Sequence, residues 1–255
     1  MKTDKSVSEE EFLKFVKANA AEWTGAEQKR IGTAIAALRP ALDQLPVAFP
    51  KRIIFVKTTG LEEGRAFYTR DTAIMMPETE TASASEELLR KTIAHELFHI
   101  LSRTNPELRE KLYQLIGFSS CREIDFPDEL KARKITNPDA PRNDHAIRVR
   151  ANGKEVSVVP ILFSSVPNYD PVRGGEFFNY LQLGFLQLSK DSMARGEILT
   201  PQQLSGFFEQ VGRNTNYIIH PEEILAENFA LLMIGKRDVP SPDILEKMRR
   251  ALGER

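Results

Sequence analysis

The chain has 255 residues, of which 41% are hydrophobic and 28% charged, with a net charge of -1. These are the proportions of a soluble globular protein long enough to bury a substantial core. The charge balance offers no basic field for nucleic acid and no acidic tail, and the single cysteine, Cys121, excludes both an internal disulfide and a C-x-x-C metal site.

The N-terminus runs from Met1 into acidic residues with no apolar signal segment, and no stretch has the length of a membrane span. Either Met1 is the native start and the protein is cytoplasmic, or it is exported and the signal peptide has been removed.

Glu9 to Leu38 carries helical spacing in two pieces, with a break at Thr24-Gly25. Pro40, Pro46 and Pro50 then punctuate a loop. Arg52 to Val56 is a buried strand, and Arg65 to Met76 is a strand pair turning at Arg70-Asp71 and ended by Pro77. Ser83 to Ser85 can cap a helix from about Glu86 to Ser102, with Glu86 and Glu87 favourably placed in its first turn. Pro106 opens another helix, which Gly117 ends.

Residues 119–143 are polar and irregular. His145 to Phe163 reads as a hairpin around Asn152-Gly153, a strong turn signal. Phe177 to Leu188 suits a strand, and Pro201 to Gly212 a short helix. Pro221 to Ile234 and Pro242 to Leu252 are the last two helices. No linker divides the chain.

The segment with chemical content is His95-Glu96-Leu97-Phe98-His99. On a helix, its two histidines stand one turn apart on one face. Their imidazoles can converge on a zinc ion at about 2.0–2.1 Å each. Glu96 leaves the same helix beside the metal, where it can take a proton from an activated water and pass it to a leaving amine. The chain holds only four histidines, so this spacing is informative. The other two are His145 and His220.

Zinc needs a third protein ligand. Ser102 and Asn105 stand where a metzincin would carry glycine and a third histidine, so that class is excluded. An acid on a later helix is the other common solution, and the best segment is His220 to Ala230. Glu223 and Glu227 share a face there, whereas Glu222 points elsewhere. With Pro221 in the first turn, Glu222 and Glu223 also suit a helix N-terminus on ordinary structural grounds. Glu227, another acid or His145 stay open as the third ligand on the residues alone.

His95-Glu96-x-x-His99 followed by Glu223-x-x-Ala226-Glu227 resembles the gluzincin metallopeptidases. That resemblance implies Glu223 as third ligand. It places Glu227 where the family has an aspartate that orients a ligand histidine. The glutamate, one methylene longer, and the long gap before Glu223 depart from the family pattern. The resemblance further implies an oxyanion donor, for which Tyr217 and His220 are the nearest candidates and His145 and Tyr180 the others.

The expected fold is α+β, with a zincin-like core of a small mixed sheet, an active-site helix and a ligand helix. It forms one domain over 1–255, with a β-rich insertion at about 119–190. The expected activity is hydrolysis of a peptide or protein substrate by a Zn²⁺ metalloendopeptidase. The alternative is a metal-retaining gluzincin-like protein that binds a partner through its insertion without proteolysis. Oligomeric state is unreadable from the chain.

Overall fold

The computed structural model describes residues 1–189 and 197–253. In chain order the elements are α1 (Glu9–Ala18), β1 (Ala20–Ala21), α2 (Gly25–Leu42), β2 (Ile54–Thr58), β3 (Tyr68–Arg70), β4 (Ala73–Pro77), α3 (Glu78–Ser83), α4 (Glu86–Thr104) and α5 (Pro106–Leu115). There follow β5 (Phe118–Ser120), α6 (Asp128–Lys131), β6 (His145–Ala151), β7 (Lys154–Ser164), β8 (Leu181–Gln187), β9 (Ile198–Leu199), β10 (Leu204–Ser205), α7 (Phe208–Val211), α8 (Pro221–Met233) and α9 (Pro242–Ala251). The fold is mixed α+β, with two small sheets and several helices. No helix among the described residues is long and apolar enough to cross a membrane.

Local chemistry explains most helix starts. Ser8 and Thr24 each form a reciprocal capping box, with Glu11 and Glu27. Ser85 accepts the Leu88 N–H at the start of α4, and proline opens α5, α8 and α9. Helix α2 runs two residues past Pro40, contrary to the sequence reading. Leu38 is fully buried, and Ala41 and Leu42 pack on the core, so packing outweighs the one hydrogen bond lost in the last turn.

The first sheet has strand order β1-β2-β4-β3. Strands β2 and β4 are parallel, while β1 and β3 join antiparallel, so β3 is an edge strand. The second sheet has order β10-β6-β7-β8-β9, with β5 also paired to β6. Asn152 and Gly153 have φ of 50° and 75°, the left-handed pair that a tight β6–β7 hairpin requires.

This second sheet reaches from Phe118 to Ser205, further than the expected insertion, whose last residue, 190, lies outside the described residues. One of its faces, with Ile147, Val149, Val158 and Phe185, joins the helical core. The other, with Val159, Ile161 and Leu186, is covered by Ile124, Phe126 and Leu130. The 119–143 segment therefore hides an apolar covering that its overall polarity conceals. The helix expected over Pro201 to Gly212 is instead a 3₁₀ turn, strand β10 and the short α7. Leu204 and Ser205 pair with the edge of β6, and Gly206, at φ 82°, breaks any continuous helix there.

Helix α4 lies between α2 and α8. From Leu97 to Ser102 every residue is buried, because neighbours cover it on more than one side. Helix α8 is buried almost throughout, and its small Ala226 and Ala230 are fully enclosed. Phe98 of α4 meets Phe229 of α8 with ring centroids 5.5 Å apart.

Candidate metal centre

The four-residue spacing on α4 brings the rings of His95 and His99 edge to face, with centroids 4.8 Å apart. Helix α8 faces them. Glu223 Oε2 lies 3.1 Å from His95 Nε2 and 3.6 Å from His99 Nε2. Three ligands at zinc–ligand bond lengths in a tetrahedron stand about 3.4 Å apart, and these separations bracket that value. These three side chains form one of two groups among the described residues that could hold a metal ion.

The backs of both imidazoles are held. His95 Nδ1 lies 3.1 Å from Glu227 Oε1, and His99 Nδ1 lies 3.1 Å from Glu222 Oε1. A carboxylate accepting from each Nδ1–H leaves Nε2 as a lone-pair donor aimed at the cluster. Lys91 Nζ in turn holds Glu227, at 2.8 Å. Glu222 also accepts from Ser102 Oγ at 2.8 Å and Tyr113 Oη at 2.6 Å. Successive pairs along the two helices (91 with 227, 95 with 223 and 227, 99 and 102 with 222) show that α8 runs antiparallel to α4.

The sequence reading had Glu222 pointing elsewhere. The antiparallel docking overturns that, because α8 meets α4 closely enough for residues 100° apart around its axis to reach different turns of α4. Glu222 thus serves His99 as Glu227 serves His95.

His99 Nε2 is buried without a hydrogen-bond partner among the described residues, and so is Glu96 Oε2. Buried polar atoms rarely stay unpaired. A divalent cation among His95, His99 and Glu223 would satisfy that nitrogen, and the donor set of two imidazoles and one carboxylate fits such an ion. Calcium and magnesium favour all-oxygen shells and fit less well.

Charge follows the same layout. Burial alone would lower His95, but Glu223 and Glu227 outweigh it and raise its pKa to about 9. His99 is likewise held well above its ordinary value against burial, chiefly by Glu223. Against their own burial, Glu223 is drawn well below the carboxylate range by His99 and His95, and Glu227 is drawn to about 2 by His95 and Lys91. Glu96 is pushed up to about 8 by burial and by the nearby charge of Asp139. Such a value places an acid–base group close to neutrality.

No family model, curated protein or solved structure matches this chain in comparison with known proteins.

The remaining candidates separate. The Tyr217 ring lies 6.4 Å from that of His95 and is half-exposed, at the side of the cluster. Burial of its hydroxyl and the surrounding carboxylates keep that group protonated. His220 caps α8: its Nδ1 accepts the Glu222 N–H and its Nε2 donates to the Arg142 carbonyl, each at 3.1 Å. Both nitrogens are thus committed to the fold, which leaves His220 no donor for an oxyanion. His145 sits between Asp144 and Glu110, and Tyr180 donates to the Gly174 carbonyl.

Two residues near the cluster escaped the sequence reading. Asn137 Nδ2 donates to Glu223 Oε1 at 2.5 Å. Asp139 forms the second possible metal-holding group, with Glu96 and His99. Both lie in the irregular 119–143 segment, where no periodicity or motif marks them.

Proposed function

We propose that this protein is a zinc-dependent metalloendopeptidase with a zincin-like core, in which α4 is the active-site helix and α8 the ligand helix. The observation that carries this reading is the convergence of His95 Nε2, His99 Nε2 and Glu223 Oε2 beside the buried carboxylate of Glu96. Those three residues would hold the zinc, whose Lewis acidity would activate a water and polarise a peptide carbonyl.

The chain's own groups do the rest. Glu96 takes the proton of the attacking water and returns it to the amine that leaves as the C–N bond breaks. Glu227 and Glu222 fix the imidazole orientations and keep the Nδ1 protons outward. Tyr217, beside His95 with its hydroxyl protonated, can donate to the developing oxyanion. The substrate is a peptide or protein.

Metal analysis combined with a Glu96→Gln variant tests this. Purified protein should carry one zinc per chain and cleave a quenched-fluorescent peptide mixture. Glu96→Gln should keep the zinc and lose about 10²- to 10⁴-fold in rate. Undiminished cleavage in that variant, or wild-type protein that takes up no zinc, sinks the reading. Zinc in both with cleavage in neither points instead to a binding protein that acts through the second sheet.

A further inference from the structure

Edge strands offer unpaired backbone groups to whatever lies alongside. Along β3 the neighbour is residues 137–139 of the same chain. The Thr69 N–H donates to Asp139 Oδ1 at 2.7 Å, and the Thr69 hydroxyl reaches the same oxygen. Arg70 Nη1 donates to the Pro138 carbonyl at 3.1 Å. Arg103 of α4 braces the contact from below, donating to Thr69 Oγ1 at 2.8 Å and to the Asp139 carbonyl at 3.5 Å.

The other end of this short segment enters the metal cluster. Asn137 Nδ2 donates to Glu223 Oε1, and the Asp139 carboxylate lies within 4.8 Å of the ligand atoms of Glu96 and His99. Three consecutive residues therefore bridge the edge of the first sheet and the candidate metal centre.

The way this segment is attached suits movement. On one side Ile135 N–H bonds the Leu162 carbonyl of β7, and on the other Ile124 N–H bonds the Asn143 carbonyl. Between these anchors the segment has no regular structure and contributes no residue to either apolar core. An Asn137 side chain accepting the Asp139 N–H at 2.9 Å shapes its turn. Polar contacts join it to β3 and to the cluster, and these exchange with water or with another chain at small net cost.

We propose that residues 137–139 form an internal strap that occupies the β3 edge and the mouth of the metal cluster, and that an extended substrate chain displaces it to pair with β3. A peptide carbonyl then accepts the Thr69 N–H in place of Asp139 Oδ1, and the freed carboxylate turns to solvent. The substrate's identity as a peptide rests on the metallopeptidase reading, whereas the strap itself is a property of the fold.

Amide hydrogen exchange on full-length, zinc-loaded Glu96→Gln protein tests the strap without turnover. The probe is a tryptic digest of casein. Exchange over 136–142 should rise when the digest is added, while the Thr69 amide stays protected. No change over 136–142 overturns the proposal. Without any peptide, Asp139→Ala should speed exchange of the Thr69 amide by about tenfold, whereas Asp139→Asn, which keeps an acceptor, should not.

In otherwise wild-type enzyme, Arg70→Ala, which frees the Pro138 carbonyl without touching the charges of the cluster, should lower KM for the digest severalfold with kcat maintained. A KM that is unchanged or raised in this variant overturns the strap. Wild-type protein that fails to cleave the digest counts against the metallopeptidase reading, and the exchange data still decide the strap.

Discussion

Glu222 Oε1 lies 3.1 Å from His99 Nδ1, so the residue immediately before Glu223 grips the back of one imidazole while Glu223 faces the front of both. Glu222 is 2% exposed and also accepts from Ser102 and Tyr113, so it collects three buried donors. Removing it strands all three. Glu222→Ala is expected to cost about 3 kcal/mol or more in stability, since each buried donor left unpaired costs roughly 1–3 kcal/mol. It should also weaken metal binding by about 10- to 100-fold, the usual effect of losing a partner behind a ligand histidine. Urea denaturation and competition with a chelator measure the two effects separately. Unchanged metal affinity would show that Glu222 serves only the fold.

The metal-free protein should respond to pH through the same pairs. His95 is raised from 6.5 to about 9, because Glu223 and Glu227 outweigh burial. The stability this gives is fully present below the unfolded value and is lost as pH rises through about 9. Glu227 is depressed from 4.5 to about 2 against its burial, so its contribution holds above the unfolded value and goes as pH falls through about 2. Urea midpoints of metal-free protein should therefore fall between about pH 6.5 and 9. A divalent ion has to displace the imidazole proton, so its binding should release protons and strengthen with pH over the same window. Calorimetry in buffers of different ionisation enthalpy counts those protons. A flat midpoint together with a pH-independent affinity would contradict the pairing.

Helix spacing sets the cluster's dimensions. Ala226 is fully buried on α8, between Glu223 and Glu227 in sequence, and α8 packs on α4. Ala226→Leu adds three carbons where none fits and should cost about 1–3 kcal/mol. The larger signal should be in metal affinity, since any retreat of α8 carries Glu223 and Glu227 away from the histidines together. A thermal melt and a zinc titration compare the two losses. A stable variant with full zinc affinity would mean that the spacing of α8 from α4 does not limit the site.

Much of this arrangement is legible in the sequence. The apolar spacing, the serine caps and the prolines at helix starts marked α4, α5, α8 and α9, because those signals act within a turn of the residues that carry them. The Asn152-Gly153 turn announced the β6–β7 hairpin for the same local reason. Failures came where a distant partner decides. Strand β10 forms because β6 offers it an edge, and α2 passes Pro40 because the core holds its last turn.

The candidate site divides along the same line. Sequence alone determined that His95, Glu96 and His99 share one helix and that Glu223 and Glu227 share another, since helical periodicity fixes which side chains lie together on one element. Only the tertiary structure decided that α8 lies antiparallel on α4, and with it that Glu222 holds His99 and that His220 is spent as a cap. It alone brought Asn137 and Asp139 from an irregular loop to the cluster. The reason is physical: which groups meet across two elements depends on packing and on hydrogen bonds between residues over a hundred positions apart, and no local pattern in the chain encodes those.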